Sequence, residues 1–154
     1  MNIRNTLLCA AALSPACVVG ASAATEVKAP KQVQQALGTL NRVVDHTGRL
    51  ISAKNYKQLP AENNEFKEGT AALQKTLSEQ PGSLRTTVRP MLKKAREEAQ
   101  GLANAATSRD NAKLTAIHLA LANSVKGIIG AFPTSVQPGP ANVARENEEE
   151  RLRK

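Results

Sequence analysis

Aromatic residues are scarce: 154 residues contain one tyrosine, two phenylalanines and no tryptophan. Tyr56, Phe66 and Phe132 are therefore the whole supply of rings, too few for a platform on which successive bases could stack. Cysteine is equally rare, and both examples, Cys9 and Cys17, lie near the N-terminus. No Gly-x-Ser-x-Gly elbow and no phosphate-cradling glycine loop is present. A carboxylate di-iron bundle needs Glu-x-x-His on two helices. Three residues before His118 stands Thr115, and three before His46 stands Val43, so that class is excluded. The paired acids Glu97 and Glu98 are adjacent and diverge on a helix. With no nucleophile, base and orienting acid in recognisable spacing, the chain reads as a non-enzyme.

The first residues have the form of an export signal. Arg4 gives a positive n-region, Leu7 to Val19 is mostly apolar, and Gly20-Ala21-Ser22-Ala23-Ala24 offers small residues for cleavage after Ala23 or Ala24. The apolar run is short of the ~20 residues that a membrane span needs. A lipoprotein anchored through Cys17 is the weaker alternative, because Ser14-Pro15-Ala16 is a poor lipobox. Cleavage removes residues 1–24 and both cysteines with them. The mature domain then has no disulfide, no thiolate metal site and no cysteine nucleophile, and depends on its apolar core. Arg4 leaves too, so 20 basic residues face 13 acidic ones, a net +7. No later segment reads as a transmembrane helix. The expected location is the bacterial periplasm.

Four seams of apolar residues at alternating steps of three and four follow, the spacing of a core-facing helix stripe. Val33, Leu37, Leu40, Val44, Thr47 and Ile51 place the first helix over about Pro30 to Lys54. Pro60 opens the second, with Phe66, Thr70, Leu73 and Leu77 as its seam. Gln80-Pro81-Gly82-Ser83 is a stop and restart, with Ser83 as a candidate cap. Leu84, Val88, Met91, Ala95, Ala99, Leu102 and Ala106 mark the third, in which Pro90 predicts a kink or a true start. Leu114, His118, Leu121, Val125, Ile128 and Phe132 mark the fourth, capped by Asp110 or Ser108 and closed by Pro133. Short connections between four such segments predict an all-α, antiparallel up-down-up-down four-helix bundle over residues 25–133. Residues 134–154, rich in proline, glycine and then charge, read as a disordered tail.

One seam position out of six on the fourth helix is polar, and it is His118. In the antiparallel topology His46 and His118 lie ~10 Å from the same end of the bundle. They could share a layer, whereas Met91 lies ~20 Å from that end. By angle, His118 sits within about 40° of its seam centre and His46 about 110° from its own, which makes His46 a boundary residue facing solvent. His118 is read first as a structural histidine bonded to a buried partner. Ligation of haem or a metal by His118, with His46, is the alternative.

Arg85, Arg89, Lys93 and Arg96 make a basic stripe about 125° from the apolar seam of the third helix. Such runs are most often solvated faces. The functional reading is contact with anionic lipid, lipopolysaccharide or an acidic envelope protein. Export removes the chain from most nucleic acid.

A signal peptide followed by a cysteine-free four-helix domain resembles the periplasmic bundle cytochromes, cytochrome c-prime and its soluble b-type relative. The resemblance spans roughly Pro30 to Phe132 and rests on architecture. Members of the c-prime family attach haem through Cys-x-x-Cys-His on the last helix. That motif is absent here, so covalent haem is excluded. The b-type relative uses a methionine early in the first helix and a histidine late in the last. Here the first helix has no methionine, and His118 falls in the first half of the fourth. The resemblance implies the fold, and either a bundle without haem or one that uses His46 and His118. The leading expectation is an exported, haem-free binding or interaction protein of the cell envelope. The alternative is a non-covalent haem or divalent-metal carrier of the periplasm.

Overall fold

The computed structural model describes residues 26–139. The export-signal reading, and the charged tail from residue 140 on, lie outside the described residues. Within them the chain is helical and contains no strand. The helices are α1 (Pro30–Ser52), α2 (Leu59–Leu77), α3 (Gly82–Ala105) and α4 (Asn111–Gly130). Each packs against two others in the cyclic order α1, α2, α3, α4 and back to α1. No helix among the described residues is long and apolar enough to cross a membrane.

The apolar seams form the core. Val33, Leu37, Leu40, Val44, Thr47 and Ile51 of α1 are buried, as are Phe66, Thr70, Leu73 and Leu77 of α2. Leu114, Leu121, Val125, Ile128 and Phe132 complete the core from the fourth side. Burying a side chain such as Phe66 contributes ~1.5–3 kcal/mol. On α3 the buried position is Leu92, not Met91. Met91 is half-buried at the edge, its methyl group beside Gly127 of α4. α4 is less one-sided than its seam implies. Leu119 is 61% exposed, and Ala112, Ala116 and Ala120 also face out.

Cross-bonds fix the register. Arg42 of α1 pairs with Glu65 of α2. Gly69 lets these two helices approach closely, since a Cβ there would lie 3.0 Å from Thr39 Cγ2. Arg96 of α3 donates to Thr70 of α2 over 2.8 Å, and Arg85 donates to the carbonyl of Ser78 over 3.3 Å. Tyr56, after α1, donates to Asn111 at the start of α4. Gln34, near the start of α1, donates to the carbonyl of Gln137 beyond the end of α4.

The ends follow local chemistry, with four departures from the sequence expectations. Asp110 caps α4, accepting from the Lys113 amide at 3.1 Å. α3, by contrast, begins at Gly82 after Pro81 with no side-chain cap, so Ser83 does not serve. Pro90 neither starts nor ends α3. Its ring lies on the exposed face, and the Thr86 carbonyl that would accept its missing N–H is on an exposed residue, within reach of water. α1 stops at Ser52 because Lys54 turns left-handed, with φ 57°. The Lys54 amide then reaches the Ile51 carbonyl, and the Asn55 amide reaches that of Leu50, as in a Schellman stop. Finally, the tail is ordered at its beginning. Thr134–Val136 forms a 3-10 turn, Val136 is buried, and the Gln137 amide group donates to the Phe132 carbonyl. An apolar residue with a place in the core holds this segment down despite the prolines.

Candidate functional site

His118 lies on the flank of the α4 seam and is half-buried, less than its seam position suggests. Its Nε2 is 2.9 Å from the carbonyl oxygen of Val44. A carbonyl only accepts, so Nε2 carries the hydrogen and donates. The ring rests on the backbone of α1 at Gly48. A Cβ at Gly48 would lie 2.9 Å from His118 Cε1 and 3.1 Å from Nε2. Glycine in mid-helix costs ~1 kcal/mol against alanine, and here it makes room for the imidazole.

His46 does not face solvent. Its side chain is 17% exposed, and Nδ1 lies 3.0 Å from Glu62 Oε1 of α2. It stands two residues from both Val44 and Gly48, so at ~100° per residue it points to the opposite side of α1 from His118. The two histidines are level with each other, yet the body of α1 separates them. Among the described residues, no group of three or more His, Cys, Asp or Glu side chains is placed to hold a metal ion.

Behind His46 runs a polar cluster inside the bundle. Glu62 and Asn63 are both buried. The Asn63 amide group donates to Gln100 of α3 at 3.2 Å, and Gln100 donates to Asn104 at 2.9 Å. The seam of α2, carried back four and three residues from Phe66, lands on Glu62 and Asn63. That was the available signal, masked because an acid in a first turn already has a reason to be there. Gln80 is a second case. It reads as part of a turn, but it is buried and clamps Lys28, accepting from its amide at 3.0 Å and donating to its carbonyl at 2.7 Å.

Three of the four stripe cations converge. Arg89, Lys93 and Arg96, with Gln74 of α2, Leu92 and Glu97, line an open hollow of about 530 Å³ between α2 and α3. Arg96 is held by Thr70. Lys93 lies 3.9 Å from Glu97, but both heads are well exposed, and such pairs contribute little. Arg89 has no hydrogen bond or ion pair with another side chain among the described residues. Arg85 does not line the hollow and points to the α2–α3 connection, where it bonds Ser78. Three cations around one carboxylate, with Arg96 held by Thr70 and Lys93 only loosely paired with Glu97, suit an anion with several oxygens.

No protein-family model matches this chain, and neither does any curated protein or solved structure.

Proposed function

We propose that the chain is an exported, non-catalytic, haem-free bundle that works in the cell envelope as a binding or interaction protein and meets anionic partners through the α2–α3 hollow. The observation that carries this reading is the convergence of Arg89, Lys93 and Arg96 on one concave surface, opposed only by Glu97 among its lining residues. The partner class is anionic lipid or an acidic envelope protein. The net charge of +7 that remains after cleavage, 20 basic residues against 13 acidic ones, works in the same direction at longer range. The export-like N-terminus, with cleavage after Ala23 or Ala24, supports a periplasmic location. An antiparallel up-down-up-down course is part of the proposal. It is supported by cross-bonds whose residue numbers fall on one helix as they rise on the next: His46 with Glu62 then Arg42 with Glu65, and Asn63 with Gln100 then Thr70 with Arg96.

The test is retention on vesicles of phosphatidylglycerol and phosphatidylcholine across a salt series. Wild type binds in a salt-dependent manner, as screened surface charges require. Arg89→Gln with Lys93→Gln lowers retention and leaves helicity intact, since neither head is buried. Arg96 is left in place because it bonds the buried Thr70. Equal retention of wild type and variant would mean that the stripe is only a solvated face.

A further inference from the structure

We infer that one internal water binds between Glu62 and Asn63 and joins two hydrogen-bonded clusters into a single chain across α1, α2 and α3. Glu62 Oε1 is taken by His46, while Glu62 Oε2 is buried with no protein donor. The Asn63 amide nitrogen is taken by Gln100, while Asn63 Oδ1 is also buried with no protein donor. Both residues line one small space between the helices, whose other walls include Val43, Thr47, Leu59 and Phe66. Its free volume is about 10 Å³, on the scale of a single water molecule.

Two acceptors at one site call for two donors. Water supplies both O–H groups and still accepts, and the lining includes the buried hydroxyl residue Thr47. A hard cation such as calcium takes 6–8 oxygen ligands, and the remaining walls are hydrocarbon. The ligand class is therefore neutral and water-sized. Without it two polar clusters end blindly at the core: His46–Glu62 on one side, Asn63–Gln100–Asn104 on the other. With it they form one continuous path from α1 to α3, and the two acceptors of this site, Glu62 Oε2 and Asn63 Oδ1, are satisfied. A path of this kind fixes which faces of the three helices meet, because a rotated helix would strand its acceptors.

Water-to-protein cross-relaxation by NMR on the full chain is the test. A long-lived internal water gives cross-peaks to the Phe66 ring and to the methyl groups of Val43 and Leu59. Absence of all of them in wild type overturns the inference, and so does a peak confined to Thr47, which its own exchanging hydroxyl would explain. Asn63→Leu removes one acceptor and fills the space, so those cross-peaks should vanish. Their survival in the folded variant would equally overturn the site. The wild-type spectrum decides the matter whether or not that variant folds.

Discussion

Gly48 and His118 should be energetically coupled, and the size of the coupling follows from their contact. Gly48→Ala gains ~1 kcal/mol of helix propensity. It also places a methyl group 2.9 Å from His118 Cε1, closer than carbon atoms pack. The ring must move, and the bond from Nε2 to the Val44 carbonyl is lost, at ~0.5–1.5 kcal/mol. The two terms nearly cancel, so Gly48→Ala alone should change stability by no more than about 0.5 kcal/mol. In a His118→Ala background the ring is gone and the same change should stabilise by ~1 kcal/mol. A double-mutant cycle by urea denaturation, followed by circular dichroism, reads the difference as a coupling of ~1 kcal/mol. Additive effects, or full stabilisation by Gly48→Ala with His118 present, would show that the imidazole is not seated on α1 at that point.

Three further outcomes are expected. Lys54→Gly should raise stability by ~1 kcal/mol, because Lys54 is held at φ 57°, where a side chain costs ~1–2 kcal/mol; an unchanged midpoint in thermal or urea unfolding would contradict the Schellman stop. Pro90→Ala should stabilise by up to ~3 kcal/mol, since it restores an amide inside α3 on an exposed face; a loss of stability would mean that the ring makes contacts which outweigh that bond. The purified protein should show no Soret band and no stoichiometric metal, with the same spectrum after His118→Leu, because the two histidines lie on opposite sides of α1. A Soret band that disappears in His118→Leu would establish the ligand reading instead.

The helices were legible in the sequence because their seams obey a period that burial enforces. On α1 and α2 each seam residue named from the spacing is buried. The misreadings come from features that a one-dimensional period does not carry. Leu92 and Met91 differ by one position, and it is Leu92 that is buried while Met91 stays at the edge beside α4. Pro90 does not start α3, and its ring lies on the exposed face of a helix that begins eight residues earlier. Gly48 drew no reading from the sequence, and its reason lies 70 residues away in the ring of His118. The polar cluster was the least legible part. Glu62 and Asn63 each have an ordinary local explanation, and their common cavity exists only once four helices have packed. The basic stripe was readable as a stripe. Its convergence on a hollow required α2, which contributes Gln74 to the lining and Thr70 to hold Arg96.

The central claim is that anionic partners meet this protein at the α2–α3 hollow. The most direct measurement is a residue-resolved one: backbone and arginine side-chain NMR shifts of the full chain, titrated with bicelles carrying phosphatidylglycerol. The account predicts shifts centred on Gln74, Arg89, Lys93 and Arg96 that shrink as salt is added. Shifts centred instead on Leu119 and the exposed alanines of α4, or no shifts at low salt, would contradict it.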